Sequence, residues 1–308
     1  MERARPRFES LEIRETESAA DATQRARDSA NAGMDVIVAA GGDGAINAVV
    51  NGLMEAHEAR LAEIASGARA SPLPALAALP LGTGNDFART LAVGPDPEDA
   101  VAALVADDVR SLDVIRARIL SGGESPREQW FINAATGGNA GDVVDSMTDE
   151  IKERWGAWCY IRGAIGVLAE LTNYHLELRW DNEPEPERCD AYNIILANGR
   201  TAARGVRIAW PANPEDGMLD VVLVKYGEAK EVASITASLL LGDYLEHDNV
   251  VHRRARRLTV RADPELTFSA DGEALHGREF MFEVVPGVLP VVVGAAYVAQ
   301  PQTREQAV

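Results

Sequence analysis

Lysine is almost missing from this chain of 308 residues: Lys152, Lys225 and Lys230 are the only three. Arginine carries the rest of the 30 basic residues, which face 48 acidic ones for a net charge of −18. So little basic surface excludes nucleic acid as a partner, because phosphate backbones are bound by clustered positive charge. Cysteine is scarce too, at two residues, Cys159 and Cys189. They lack metal-ligand spacing, and with no apolar export signal at Met1–Pro6 they read as reduced core thiols of a cytoplasmic protein. No apolar run reaches the ~18 residues of a spanning helix, so any membrane-borne ligand would be met from the water side. Internal repeats are absent.

What is present describes a folded protein: 46% hydrophobic and 25% charged residues over a length that suggests two domains. The most informative stretch is Val36-Ile37-Val38-Ala39-Ala40 running into Gly41-Gly42-Asp43-Gly44. The apolar run reads as a strand buried on both faces. Glycines let the turn come close to a ligand, and Ile46, Val49, Val50 and Leu53 then give helical periodicity. A strand, a glycine turn and a helix N-terminus make a phosphate site. It is not a P-loop, which needs Gly-Lys-Ser/Thr, nor a dinucleotide fingerprint, since Asn47 stands where the third glycine belongs. Asp43 inside an anion site suggests a metal ion between protein and phosphate.

Two further segments share this logic. Leu79-Pro80-Leu81-Gly82-Thr83-Gly84-Asn85-Asp86-Phe87-Ala88-Arg89 is an apolar approach to a glycine-flanked hydroxyl, followed by polar side chains and a helix. Far downstream, Asp271-Gly272-Glu273 follows the strand-like Leu266-Thr267-Phe268. Taken singly, a glycine turn is an ordinary βα connection and Asp-Gly an ordinary hairpin turn.

The three motifs in this order resemble the diacylglycerol kinase catalytic family, and most of all its bacterial YegS-like lipid kinases. Phe131-Ile132-Asn133-Ala134-Ala135-Thr136-Gly137-Gly138, Ala197-Asn198-Gly199-Arg200 and Asp216-Gly217-Met218-Leu219-Asp220 extend the likeness over nearly the whole chain from about Leu11. The resemblance implies an ATP-dependent kinase that moves the γ-phosphoryl group to a lipid hydroxyl of diacylglycerol, phosphatidylglycerol or sphingoid type. ATP would contact Thr16, Gly41, Gly42, Asp43, Gly44, Asn47, Thr83 and Asn85. Asp43 and Asp86 would hold or orient Mg²⁺, Glu273 would be the general base, and Asp271 would orient the metal or the base. A second, structural Mg²⁺ is implied at Asp216 with the carbonyls of Asn213 and Met218. Ala45 and Ala48 depart from the family's usual Thr and Glu, and the chain starts later than such a kinase normally does, which threatens the sheet with a missing edge strand.

The implied fold is α/β plus β. An N-terminal doubly wound parallel sheet would bind nucleotide (residues 1–112 plus about 286–308), and a β-sandwich-like domain (113–285) would bind lipid. Strands are expected at Leu11–Thr16 and up to Ala40. Helices are expected from Ser18 to about Ala32-Gly33, from Ile46 to about Ser66, over Glu98–Ala106, Ile151–Leu171 and Ala229–Leu245. The basic run His252-Arg253-Arg254-Ala255-Arg256-Arg257 could draw the acidic protein to anionic lipid at the inner membrane face, although a solvated strand edge explains it equally. His57, His175, His247 and His276 show no ligand spacing. A homodimer is left open. Rival readings are a non-catalytic nucleotide- or lipid-binding relative and an NAD kinase; the latter shares the Gly-Gly-Asp-Gly turn but not the two later motifs.

Overall fold

The computed structural model describes residues 8–67, 71–122, 128–139, 171–241, 244–303 and 306. The expected helix at Ile151–Leu171 and Cys159 fall almost wholly outside them.

Helix α1 (Ala19–Asn31) starts where Ser18 Oγ accepts the Asp21 N–H, while the Asp21 carboxylate accepts the Glu17 N–H. Two otherwise orphaned donors are thereby satisfied. Its buried Ala22, Ala26 and Ala30 face α2 (Asp43–Ala65). The helices approach so closely that a Cβ at Gly52 would collide with the Thr23 carbonyl. Between them lies β1 (Val36–Gly41), paired in parallel with β2 (Ala75–Pro80). Short helices α3 (Asp86–Thr90) and α4 (Pro97–Ala106) follow.

From Val109 the chain is mainly strand: β3 (Val109–Ser121), β4 (Glu128–Phe131), β5 (Ala134–Gly138), β6 (Tyr174–Trp180), β7 (Glu187–Ala197), the small β8–β9 pair (Thr201–Ala202, Val206–Arg207), β10 (Leu219–Lys225), β11 (Val250–Ala255), β12 (Arg257–Ala270) and β13 (Glu273–Val292). Helix α5 spans Ala229–Leu241, shorter than expected, and Tyr244–Glu246 forms a 3₁₀ turn. One mixed sheet runs β1-β2-β13-β12-β5-β7-β10-β11, with β3, β4 and β6 joined at its sides. β13 ties the halves together. Its start forms a hairpin with β12, its length pairs with β3, and its end meets β2 in parallel at Val291↔Leu76. The apolar core divides accordingly. One cluster around Leu53, Leu76 and Phe87 lies beside the parallel strands, and a second around Trp180, Phe268, Phe280 and Phe282 fills the sandwich. The result is a mixed α/β chain whose C-terminal half is sandwich-like.

One expected strand does not form. Leu11–Thr16 is extended but joins no ladder, and Ile13 is 77% exposed. Its apolar and polar residues alternate as a strand's would, but no pairing with the sheet forms. Among the described residues β1 pairs only with β2, so its other edge is open.

Candidate active site

The parallel register sets Gly41 opposite Pro80, and Leu81 N–H donates to the Gly41 carbonyl at 2.9 Å. Both glycine turns therefore leave the same end of the sheet side by side. They touch backbone to backbone: a Cβ on Gly82 would lie 2.5 Å from the Gly42 Cα. Any side chain at either place would wedge the turns apart, which is the physical need for these two glycines.

Gly42 caps α2 with extended backbone, and Gly44 is exposed in the first turn of the helix. Asp43 Oδ1 accepts the Phe87 N–H at 3.1 Å, so the first turn caps the helix of the second. Its Oδ2 has no hydrogen bond, and a Cβ on Gly84 would approach it to 2.7 Å. Asn85, at φ 53°, braces its own loop, accepting from Gly82 N–H at 3.1 Å and donating to the Gly82 carbonyl at 2.7 Å. Thr83 is exposed at the crest, where its hydroxyl faces solvent. Asn47 is buried; its Oδ1 accepts from Asn51, whose amide also exchanges hydrogen bonds with the Trp130 backbone of β4. Asn47 thus belongs to a brace between α2 and the β-rich half.

The third motif arrives from the other half. Asp271 and Gly272 have φ of 46° and 91° and close a two-residue turn in which Ala270 pairs with Glu273. Left-handed values at both central positions are what such a tight hairpin requires. The Asp271 carboxylate accepts three consecutive backbone N–H groups, from Ile132 (2.8 Å), Asn133 (3.2 Å) and Ala134 (2.9 Å), and its own N–H donates to the Ala134 carbonyl. Burial pushes its pKa up to about 6 against the pull of those donors, and the charge of Asp43 pushes the same way. Glu273 is exposed at the start of β13, two residues from Asp271.

Other expected residues are placed differently. Asp86 is buried, and its carboxylate accepts the N–H groups of Arg204 (2.9 Å) and Gly205 (2.6 Å) and lies 3.2 Å from the Arg89 guanidinium. Those N–H groups belong to a turn of three successive left-handed residues, Ala203, Arg204 and Gly205. Such a turn aims its donors at one anion, and here the anion is Asp86. Thr16 lies in the exposed segment ahead of α1, outside the sheet expected to present it.

The Asp216 carboxylate, the charged donor of the expected magnesium site, is already engaged by protein groups. Asp216 Oδ1 accepts the Met218 N–H at 3.0 Å and Oδ2 is bound by the Arg254 guanidinium. Asn213 Oδ1 accepts the Glu215 N–H at 3.0 Å and its amide reaches Gln300. Among the described residues, no three His, Cys, Asp or Glu side chains gather as a metal site. The basic run is similarly engaged. Arg253 stacks 4.3 Å from the Trp180 ring centroid and pairs with Glu183 and Glu187, and Arg257 pairs with Glu283. Arg254 and His252 are paired with acids as well.

Sequence reasoning gave Asp113 no role. It is fully buried in β3, its oxygens accept Gly217 and Gly287 N–H groups at 2.7 Å each, and burial raises its pKa to about 6. A lone aspartate inside Leu112-Asp113-Val114-Ile115 is the signal that was there to read. Asn198 works nearby, donating to the carbonyls of Asp113 and Ile132.

Two glycine turns and a carboxylate hairpin, presented by an α/β half and a sandwich-like half, define a phosphoryl-transfer enzyme, and known proteins give the class as lipid kinase. Residues 1–117 match the diacylglycerol kinase catalytic domain, and residues 134–293 match the YegS C-terminal NAD kinase beta sandwich-like domain. The chain belongs to the diacylglycerol kinase catalytic family, in its YegS-like branch. It is 30% identical over 284 residues to the Probable lipid kinase YegS-like of Stenotrophomonas maltophilia (strain K279a), covering 90% of this chain and 84% of that protein. Another protein so named, from Cronobacter sakazakii (strain ATCC BAA-894), is 30% identical over 279 residues, 91% of this chain and 85% of its own. A solved diacylglycerol kinase structure from Bacillus anthracis str. Sterne shares the fold, with a TM-score of 0.68 at 22% identity over 96% of this chain and 89% of that one.

Proposed function

We propose that the protein transfers the γ-phosphoryl group of ATP to the hydroxyl of a diacylglycerol, phosphatidylglycerol or sphingoid lipid, with Glu273 as the base. The observation that supports this is the packing of the two glycine turns against each other, with Asp43 capping the second and its charge felt by Asp271 of the hairpin. Backbone N–H groups of Gly42-Asp43-Gly44 at the start of α2 bind the phosphates, and Thr83 adds a hydroxyl donor. This crevice belongs to a small doubly wound unit built on β1 and β2, and the sandwich half takes the lipid. Glu273, exposed at the start of β13, accepts the proton of the attacking hydroxyl, a role worth roughly 10²–10⁴-fold in rate. Asp271 fixes the hairpin that carries it.

Magnesium fits this site at Asp43, whose free Oδ2 would hold it. The ion would supply neutralisation of charge on the triphosphate oxygens. Asp86, enclosed by N–H groups, serves instead to clamp the 203–205 turn to the nucleotide loop. The acceptor is met at the inner membrane face by a cytoplasmic enzyme, a placement supported by the lipid character of the acceptor alone.

The test is transfer of radiolabel from ATP with Mg²⁺ to micelles of each of the three lipids. Label in one lipid extract supports the reading. Nucleotide binding without label in any of them favours a non-catalytic relative.

A further inference from the structure

We propose that Arg254 is the resident cation of the Asn213–Met218 turn, so that this protein holds its domain junction without a metal ion at Asp216. The β10–β11 register places Arg254 directly opposite Asp220. From there its guanidinium binds Asp216 Oδ2, with Nε 3.8 Å from Asp220 Oδ2. One planar cation therefore serves two carboxylates, a task that suits the delocalised fork of arginine. Asp220 is 1% exposed. Its Oδ1 lies 2.6 Å from His252 Nε2, while its Oδ2 has no hydrogen bond. A carboxylate so buried depends on a nearby positive charge.

The turn itself matters for the junction. Asp113 in β3 grips Gly217 of this turn and Gly287 of the β13 bulge together. Asp113, Asp216 and Asp220 thus crowd three acids around the place where the sandwich meets the strand returning to the α/β half. Such a cluster needs a counter-charge, and strand register delivers one covalently. A magnesium ion demands octahedral oxygen ligands at short range. It could reach Asp216 only by expelling Arg254, which would leave the hidden Asp220 with His252 alone.

The test uses the nucleotide-free full chain. Thermal melting of wild type is compared in EDTA and in Mg²⁺, and Mn²⁺ binding is followed by electron paramagnetic resonance in wild type and Asp216→Asn. The expected result is one melting temperature in both buffers and the same Mn²⁺ isotherm for both proteins. Arg254→Met should melt several degrees lower than wild type. The proposal is overturned if Mg²⁺ raises the melting temperature of wild type but not of Asp216→Asn. It is overturned equally if Asp216→Asn loses a Mn²⁺ site. Should Arg254→Met fail to fold, the wild-type and Asp216→Asn comparison decides alone.

Discussion

The Oδ1 atom of Asp43 accepts the backbone N–H of Phe87 at 3.1 Å, across 44 residues of sequence. One carboxylate so placed does two things: it caps α3 with one oxygen and leaves the other towards the crevice.

Asp43→Asn keeps an oxygen able to cap Phe87 and loses the charge, whereas Asp43→Ala loses both. The asparagine variant should therefore melt near the wild type but turn over far more slowly, with nucleotide affinity falling less than kcat. The alanine variant should in addition lose about 1 kcal/mol of stability, the usual worth of a helix cap. Melting curves and steady-state kinetics of the pair separate the roles.

Gly82→Ala tests the contact of the two turns. Its Cβ would lie 2.5 Å from the Gly42 Cα, which is backbone and has nowhere to go. A destabilisation of about 1–3 kcal/mol is expected from such overpacking, with nucleotide affinity lost beyond it. Gly44→Ala is the control, because a Cβ there meets nothing within 4 Å.

Asp113 sets part of the pH dependence of stability. Its pKa in the folded protein, about 6, lies above the ordinary 3.8. The folded state thus binds the proton more tightly than the unfolded chain. The stability this group contributes is fully present below pH 3.8 and is lost as pH rises through about 6. About two units at 1.36 kcal/mol each amount to about 3 kcal/mol. Asp113→Asn, which does not titrate, should show a difference from wild type that shrinks between pH 4 and 7 in denaturant melts, because only wild type loses stability there.

What could be read from the sequence is what local chemistry settles. Ser18 and Asp21 announce the start of α1, the glycines after Val36–Ala40 announce a tight strand-to-helix turn, and Asp271-Gly272 announces a hairpin. Each depends on residues a few positions apart. The hydrogen bonds of Asp86 could not be read there, because its partners, Arg204 and Gly205, lie more than a hundred residues away, and the sequence shows only a polar residue in a phosphate loop. Asp113 and Arg254 escaped for the same reason: their partners are assigned by sheet register. The segment Leu11–Thr16 shows the converse, a strand-like pattern that joins no ladder.

The most direct measurement sets Glu273→Ala beside wild type in transfer of radiolabel from ATP to lipid, with nucleotide binding followed calorimetrically in the same preparations. If Glu273 is the base, the variant binds ATP with little change and its phosphoryl transfer falls by roughly 10²–10⁴-fold. Turnover equal to wild type, with binding intact, would contradict the proposed role of the Asp271–Glu273 hairpin.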